Sequence, residues 1–326
     1  MSAPLRLRLD GEALVANWRW LAARSGGACG AAVKADGYGL GARGVVARLA
    51  RAGCRDFFVS TWDEAVALGP LPGGCALSVL HGVRVEDMAV AVAASARPVL
   101  NTPEQVARWR PTGLPCDVMI DTGMNRLGLA ASDDLSGLTI ETLMSHLACA
   151  DEDSTMNVAQ LAALAALDAP AKRRSLANSA GICLGSDYAF DLTRPGLALY
   201  GGIPRAEAAG HIAKVVHPEA QIIQRRRVGA GESVGYGATF TAARDMDVAI
   251  LNIGYADGYL RSFGGQGQAL GRVSMDLIAV DVTGTDAGEG DWVAVDYDMA
   301  KASAATGLSQ YELLTGLGVR FERQWV

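Results

Sequence analysis

The first two hundred residues repeat one arrangement, in which a short apolar segment is followed by an alanine-rich segment with helical spacing of its apolar residues. The strand-like segments are Cys29–Ala35, Asp56–Ser60, Ala76–Leu80, Arg97–Leu100, Asp117–Asp121, Thr139–His146, Arg174–Asn178 and Thr193–Tyr200. The helical segments are Gly44–Ala52, Asp63–Leu68, Val85–Ala94, Pro103–Trp109 and Asn157–Leu167. Eight strands alternating with helices predict a (β/α)8 barrel of the TIM type, and an open doubly wound sheet is the alternative.

The pattern changes after Val215, where short alternating segments broken by glycines replace the alanine-rich ones. The segments QIIQRRRV, DVAILNI, LIAVDV and DWVAVDY predict an antiparallel β domain. We therefore predict an α/β chain of two domains, a barrel over 9–215 and a mostly-β C-terminal domain over 216–326. The alternating N-terminal segment 1–8 is expected to pair with the second domain. The run SFGGQGQALG, 262–271, predicts a turn or an exposed loop.

Composition argues against several classes of protein. No apolar run approaches the roughly 18 residues that a transmembrane helix needs, and charges interrupt the first residues where a signal peptide would have its apolar core. A formal net charge of −6 without long basic runs argues against a nucleic-acid partner. Six scattered cysteines without a CxxC pair, and four histidines, predict reduced thiols and no metal site. We expect a soluble cytoplasmic protein without a membrane partner.

Lys34 lies at the end of the first predicted strand, in the run AAVKADGYGLG. The glycines after it allow a tight turn. Burial of an ammonium group is costly without a partner, and one common resolution is a neutral amine bound covalently, as in a Schiff base with pyridoxal phosphate. An ordinary strand-end lysine, whose amine reaches solvent, is the alternative.

Further polar residues follow other predicted strands, whose C-terminal ends meet at one face of a barrel and carry its catalytic residues. Arg126, in DTGMNRLG, suits a carboxylate partner, although a surface arginine is commoner. His146 ends a strand, where a hydrogen-bonded core histidine is the commoner role. Asn178 and Ser179 open either a phosphate cradle or a plain helix cap. Arg194 begins the run RPGL one strand later, where barrels often complete a phosphate site.

The predicted β domain contains three further motifs. Tyr236 stands between glycines in VGYGAT, which is by itself most typical of a turn. The run IGYADGY contains Tyr255, and GRVSMD contains Arg272, Met275 and Asp276.

These motifs resemble those of the alanine racemase family, in the family's order and from the first thirty residues to the end of the chain. Family motifs of the form AVKADAYGHG, DTGMxRLG, RxG[IL]xxYG, SYGAT, IGYADGW and GRxCMD match the runs quoted above, and THFATAD matches SHLACAD, the run that contains His146. The resemblance implies a pyridoxal-phosphate-dependent racemase, an isomerase with a barrel and a β domain. It also implies a head-to-tail homodimer with shared active sites.

The resemblance implies roles for individual residues. Lys34 and Tyr236 are the two catalytic bases, and Lys34 also carries pyridoxal 5'-phosphate. The implied cofactor-binding residues are Lys34, Tyr38, His146, Asn178, Ser179, Arg194, Gly196 and Leu197. The implied substrate-binding residues are Arg126 and Met275, and the implied entrance residues are Tyr255, Arg261, Arg272 and Asp276.

The implied reaction interconverts L-alanine and D-alanine and supplies D-alanine for peptidoglycan. Lys34 acts as base towards D-alanine and Tyr236, from the other chain, acts towards L-alanine. Arg194 holds its own proton too tightly to protonate the pyridine nitrogen, which disfavours a long-lived carbanion and favours proton transfer. Positive charge from Arg194, acting through His146, would favour the phenolate form of Tyr236.

Two positions depart from the family pattern. Met119 stands where many members carry a carbamylated lysine that orients the arginine, so Arg126 needs another support. Val319 stands where many carry a tyrosine that contacts the cofactor phosphate, which predicts a roomier pocket. A broad-specificity or serine-preferring racemase is therefore the main alternative. A barrel-fold decarboxylase would instead place a carboxylate by the pyridine nitrogen and lack the Tyr236 motif, and a non-catalytic cofactor-binding protein leaves that motif without a purpose.

Overall fold

The computed structural model describes residues 3–263 and 268–326. Of the loop predicted over 262–271, residues 264–267 lie outside the described residues. The chain divides into two compact units, one formed by Glu12–Ala213 and the other by Met1–Gly11 together with Lys214–Val326. Within the described ranges, no helix is both long enough and apolar enough to cross a membrane.

The chain begins with strand β1 (Leu5–Leu9) and helix α1 (Gly11–Ser25). The unit Glu12–Ala213 then alternates strands with helices. Its strands are β2 (Ala28–Cys29), β3 (Ala31–Ala32), β4 (Asp56–Val59), β5 (Ala76–Val79), β6 (Arg97–Leu100), β7 (Pro115–Met119), β8 (Thr139–Met144), β9 (Ala171–Ser175) and β10 (Leu192–Thr193). Its further helices are α2 (Ala42–Ala52), α3 (Trp62–Leu68), α4 (Met88–Ala93), α5 (Pro103–Trp109), α6 (Thr155–Ala165) and α7 (Ser179–Leu184). Single helical turns include Lys34–Tyr38, Arg110–Thr112, Ser186–Tyr188, Leu197–Tyr200 and Ala206–Ala208.

The parallel strands of this unit close into a barrel. Strands β3 to β9 form a seven-stranded parallel sheet in chain order. Alternate N–H groups of 28–32 then donate to alternate carbonyl oxygens of 191–195 at 2.9–3.0 Å, which joins the first strand to the last. Gly30 lies between β2 and β3, where a Cβ would lie 2.7 Å from the carbonyl oxygen of Asp56, so only glycine fits at this position. The predicted barrel is confirmed.

Most strand bounds differ from the prediction by a few residues, and the predicted strand Cys29–Ala35 is divided into β2 and β3 and ends at Ala32. The predicted strand Thr193–Tyr200 is wrong, because the strand ends at Thr193 and Leu197–Tyr200 form a 3-10 turn. The turn follows Gly196, whose ψ of −84° takes the backbone out of the extended conformation. Strand β9 begins at Ala171, three residues before the predicted start, since the charged side chains of its first residues hid the apolar pattern.

Side chains fill the barrel interior in layers, because residues i and i+2 of a strand face the same side. Near the beginning of the strands the layer is polar, with Ser78 donating to Asp117 at 2.5 Å and Arg173 bonded twice to Asp56. An apolar layer follows and is formed by Phe58, Val99, Met119, Met144 and Leu192. His146 and Arg194 follow two residues after Met144 and Leu192, just beyond the ends of β8 and β10. The polar residues of the predicted site therefore lie beyond an apolar layer, at the C-terminal ends of the strands.

The second unit is mostly β, as predicted. Its strands are β1, β11 (Val216–Val228), β12 (Ser233–Val234), β13 (Phe240–Thr241), β14 (Met246–Leu251), β15 (Ile278–Asp281), β16 (Trp292–Ala294) and β17 (Glu322–Trp325). They form a sheet in the order β15-β14-β11-β1-β17, with β16 also paired to β11 and β12–β13 as a separate hairpin. Helices α8 (Met299–Thr306) and α9 (Gln310–Thr315) and the turns Tyr236–Ala238, Tyr255–Asp257 and Arg261–Phe263 complete it.

Candidate active site

Lys34 lies directly beyond β3, at the C-terminal end of the barrel strands. The N–H of Val33 donates to the carbonyl of Phe58 at 2.8 Å, and the backbone then enters a left-handed turn. Ala35 and Asp36 both have φ of 51°, which is rare for residues with a Cβ. The Asp36 Oδ1 accepts the N–H of Ala42 at 2.8 Å and ties the turn to the start of α2.

The surroundings of Lys34 favour its neutral amine. Burial lowers the pKa of Lys34, the guanidinium of Arg126 lowers it further, and the carboxylate of Glu64 opposes both effects. A lysine with a lowered pKa is a better nucleophile and a better base near neutral pH.

His146 and Arg194 lie in the same electrostatic environment. Arg194 is buried and donates to the Ser175 hydroxyl and, at 2.5 Å, to the carbonyl of Ser145. Burial lowers the pKa of Arg194 to about 10, so it stays cationic at neutral pH. Burial, followed by the charges of Arg194, Arg126 and Lys34, lowers the pKa of His146 to about 3, so its imidazole is neutral. The structure thus brings Lys34, Arg126, His146 and Arg194 to one end of the barrel.

Arg126 is exposed, in the loop that follows β7. The Asp121 carboxylate shapes this loop, since its Oδ1 accepts the N–H groups of Gly123 at 2.8 Å and Asn125 at 3.1 Å. Met119, at the position of the family's carbamylated lysine, is only 7% exposed and packs in the apolar layer. It therefore offers no polar group to orient Arg126.

Tyr38, Ser179 and Gly196 form a small polar cradle beside the strand ends. The Ser179 hydroxyl oxygen accepts the backbone N–H groups of Gly196 at 3.0 Å and Ala198 at 3.2 Å. A Cβ on Gly196 would lie 2.2 Å from the Tyr38 hydroxyl oxygen, so only glycine lets that hydroxyl approach the backbone. The Ser179 and Tyr38 hydroxyl groups, placed where a Cβ is missing, fit an anionic phosphate, because each hydroxyl has a proton that it can donate.

Neighbouring residues hold this cradle in place. Asn178 caps α7, with its Oδ1 accepting the N–H of Gly181 at 2.8 Å. Tyr38 stacks on Tyr200 with ring centroids 4.6 Å apart, and the Tyr200 hydroxyl donates to the carbonyl of Ala32 at 2.7 Å. Leu197 begins the turn after Gly196 and is buried.

Tyr236 lies in the other unit, on the turn that joins β12 to β13. Tyr236 is 67% exposed, so the residue is presented to solvent and is not packed in the core. Gly235 and Gly237 have φ of 78° and 71°, which glycine adopts easily and which shape this turn. The Arg272 guanidinium lies 3.3 Å from the position of a Cβ on Gly237, so it borders the same turn.

The other predicted residues of this unit lie on two connected loops. The carbonyls of Ser274 and Met275 accept the N–H groups of Tyr255 and Ala256, each at 3.0 Å. Met275 is itself 54% exposed. The Arg261 guanidinium lies 4.9 Å from the centre of the Tyr255 ring, in a cation–π contact.

The sequence of the whole chain matches the two domains of one family. The model of the alanine racemase N-terminal domain matches residues 9–204, and that of the C-terminal domain matches residues 215–325.

The chain belongs to the alanine racemase family.

Relatives in this family cover nearly the whole chain. The chain is 40% identical to the biosynthetic alanine racemase of Agrobacterium fabrum, over 99% of this chain and 94% of that protein. It is 42% identical to the catabolic alanine racemase of the same organism, over 91% of this chain and 85% of that protein. Among solved structures, the alanine racemase of Bartonella henselae with covalently bound pyridoxal phosphate aligns with a TM-score of 0.87. That pair is 34% identical, and the alignment covers 100% of both chains. The predicted family is confirmed.

Two further residues contribute to this racemase fold and were missed by the motif comparison. Glu64 accepts the backbone N–H of Ala35, directly after Lys34, at 2.8 Å. Arg320 bonds to both Asp257, in the turn that begins at Tyr255, and Asp276, directly after Met275. The run Thr61-Trp62-Asp63-Glu64 has the form of a helix-capping box and could have drawn attention to Glu64. No local pattern indicates Arg320.

Proposed function

We propose that this chain is an alanine racemase that interconverts L-alanine and D-alanine with pyridoxal 5'-phosphate bound at Lys34. The observation that carries the proposal is the neighbourhood of Lys34. A lysine whose pKa is lowered stands at the mouth of the barrel, and the cradle of Tyr38, Ser179 and Gly196 lies on adjoining strand ends. An amine and an anion site so placed suit the aldehyde and the phosphate of one cofactor.

The residues present fit the cofactor. The cradle and the start of the Leu197 turn would hold the phosphate, with Asn178 capping the helix that carries Ser179. Arg194 would face the pyridine nitrogen and keep its own proton, since its pKa of about 10 lies well above neutral pH. When bound, pyridoxal phosphate withdraws electrons from the α-carbon of the amino acid and so acidifies its proton.

The chain's own residues then bind the substrate and move one proton. The Arg126 guanidinium and the Met275 backbone N–H bind the substrate carboxylate. The Lys34 Nζ accepts the α-proton of D-alanine, and the Tyr236 Oη of the second copy accepts the α-proton of L-alanine. His146 is neutral beside the cationic Arg194, so it can accept a hydrogen bond or donate one without carrying charge itself.

The direct test is the change in optical rotation of purified protein with L-alanine and, separately, D-alanine. Both reactions should approach an equal mixture, because enantiomers have the same free energy. Serine and larger amino acids belong in the same assay, since Val319 is 93% exposed and presents a small side chain where the family has tyrosine. Faster turnover of serine than of alanine would favour the serine-preferring alternative.

A homodimer with shared sites is the second part of the proposal. An exposed tyrosine that acts as a base needs a partner surface to place and shield it, and the family resemblance supplies a second copy of the chain. Mixed dimers of Lys34→Ala and Tyr236→Ala chains, purified through two different tags, should regain up to about half the parental activity, because one of two sites is then intact. Mixed dimers as inactive as their parents would show that both bases come from one chain.

The remaining predictions concern the domain bounds, the entrance residues, the biosynthetic role and the location of the protein. The bounds of the functional domains, 9–215 and 216–326 with segment 1–8, are part of this proposal, as are the entrance roles of Tyr255, Arg261, Arg272 and Asp276. A role in supplying D-alanine for peptidoglycan and a cytoplasmic location also stay proposals. Relatives named biosynthetic and catabolic resemble the chain about equally. Loss of growth without added D-alanine, after deletion of the gene, would support the biosynthetic role.

A further inference from the structure

Glu64 is a charged residue beside Lys34 for which the family resemblance implies no role. Its Oε1 accepts the backbone N–H of Ala35 at 2.8 Å, and its Oε2 accepts the backbone N–H of Ser60 at 2.6 Å. One carboxylate thus joins the peptide that follows Lys34 to the residue that follows β4.

These two hydrogen bonds lie just beyond the last backbone hydrogen bond between the β3 and β4 segments. The N–H of Val33 still donates to the carbonyl of Phe58, at 2.8 Å. Beyond that point Ala35 and Ser60 each present an N–H group, and two donors cannot bond to one another. A carboxylate has an acceptor oxygen for each of them, so Glu64 takes over from the backbone ladder.

Helix capping alone does not explain the orientation of Glu64. In a capping box the glutamate bonds back to the N–H of the N-cap residue, here Thr61. Half of that arrangement is present, since the Thr61 hydroxyl accepts the N–H of Glu64 at 3.2 Å. The carboxylate turns instead towards Ser60 and Ala35, which places it at the Lys34 turn.

The Lys34 turn needs such support. Ala35 and Asp36 hold left-handed φ values, which residues with a Cβ keep only where surrounding contacts enforce them. Glu64 fixes the beginning of the turn through Ala35, and the bond from Ala42 to the Asp36 carboxylate fixes its end. Loss of the first contact would free the peptide to which the Lys34 side chain is attached.

Charge gives Glu64 a second effect on Lys34. The charged groups that act on this amine from neighbouring elements are the guanidinium of Arg126 and the carboxylate of Glu64, and the His146 imidazole lies within the field of the same amine. Burial and Arg126 lower the pKa of Lys34, His146 is neutral, and Glu64 raises that pKa. The carboxylate therefore limits how far the basicity of Lys34 falls.

We propose that Glu64 is a positioning residue for Lys34, holding the peptide that follows it and placing a negative charge at the Lys34 turn. The catalytic consequence rests on the proposed function, whereas the effect on the amine does not.

The test compares Glu64→Gln with Thr61→Ala and with the parent. In cofactor-free, full-length protein, Lys34 is labelled with acetic anhydride across a pH series and quantified by peptide mass spectrometry. Removal of the negative charge disfavours the ammonium form, so Glu64→Gln should shift the labelling profile of Lys34 to lower pH. Thr61→Ala removes the helix cap but keeps the carboxylate, so its profile should match the parent.

Kinetic measurements on the holoenzymes distinguish the positioning effect of Glu64 from the effect of its charge. Glu64→Asp keeps the charge but its shorter side chain cannot reach both N–H groups, so its Lys34 profile should stay near the parent while kcat falls about tenfold or more. Glu64→Gln should lose kcat as well, with a smaller change in KM. Equal effects of Glu64→Gln and Thr61→Ala on both readouts, or an unshifted Lys34 profile in Glu64→Gln, would overturn the proposal. A parent without racemase activity would refute the proposed function, and the labelling profiles would still decide the role of Glu64.

Discussion

Arg320 binds the fully buried Asp257 through two hydrogen bonds, from Nε to Oδ1 at 2.6 Å and from Nη2 to Oδ2 at 2.7 Å. Its remaining Nη1 donates to Asp276 at 2.7 Å. Asp257 belongs to the Tyr255 turn and Asp276 directly follows Met275, so one guanidinium connects the two loops of the predicted entrance. Asp257 also accepts the N–H of Gly254 at 3.0 Å.

Replacement of Arg320 should therefore loosen both loops. Arg320→Gln leaves the buried Asp257 without its charged partner, at a cost of about 1.5–3 kcal/mol in the free energy of unfolding. The KM for alanine should rise, since the Met275 backbone no longer has a fixed neighbour. Chemical denaturation and steady-state kinetics measure the two effects. Arg227→Gln is the control, because its pair with Asp245 is exposed and should contribute less than about 1 kcal/mol. Equal small losses in both variants would contradict the connection.

Gly196 should be required for cofactor binding. A Cβ at this position meets the Tyr38 hydroxyl at 2.2 Å, so Gly196→Ala must displace either the tyrosine or the backbone that Ser179 holds. We expect the dissociation constant of pyridoxal phosphate to rise at least about tenfold, equivalent to roughly 1.4 kcal/mol. Fluorescence titration of cofactor-free protein measures it. Gly73→Ala, where a Cβ meets nothing within 4 Å, is the control. Unchanged affinity in Gly196→Ala would place the phosphate elsewhere.

Met119 should not tolerate the family's lysine without loss of stability. Its side chain packs against Phe58, Val99, Met144 and Leu192, and an ammonium there would have no partner in that cluster. We expect Met119→Lys to lose on the order of 3–5 kcal/mol of unfolding free energy, as for an uncompensated buried charge. Met119→Leu should lose less than about 1.5 kcal/mol. Thermal and chemical denaturation compare the two variants. A Met119→Lys protein as stable as Met119→Leu would mean that the position can be neutralised or hydrated.

His146 should make the protein less stable in acid. Its pKa is about 3 in the folded chain and about 6.5 when unfolded, so the unfolded state binds its proton first as the pH falls. The contribution is complete above pH ~6.5 and is lost progressively down to about pH 3. His146→Gln should therefore lose less unfolding free energy than the parent between pH 6.5 and 4. Denaturant titrations at several pH values measure this slope. Parallel pH profiles for both proteins would show that His146 titrates normally.

The barrel could be predicted because its signal is repeated along the chain. Strands such as Asp56–Val59 and Arg97–Leu100 are short apolar runs between helical segments, and their order leaves few ways to pair. The polar residues that follow these strands could be placed at one end of the barrel, because the C-terminal ends of its parallel strands all lie on one face. Strand β9 was harder to place, because Arg173 is charged yet faces inward to Asp56.

The contacts that hold the site could not be predicted in the same way. The sequence at Ala35 and Asp36 does not indicate a left-handed turn, because contacts with residues elsewhere in the chain hold their backbone in that conformation. The sequence around Glu64 indicates only a helix-capping residue, and its bond to the Ala35 N–H becomes evident from the structure alone. Arg320 and Asp257 are far apart in the chain, and neither carries a local pattern that points to the other.

We propose that Lys34 and Tyr236 act on opposite faces of the α-carbon of alanine. The most direct test is Tyr236→Phe holoenzyme in deuterium oxide, with each enantiomer followed by NMR and chiral chromatography. Racemisation should fall by about 10²–10⁴-fold, the usual contribution of a general acid or base. D-Alanine should still exchange its α-proton for deuterium and keep its configuration, because Lys34 remains, while L-alanine should not exchange. Racemisation at the parental rate, or equal exchange of both enantiomers, would contradict the assignment of the two bases.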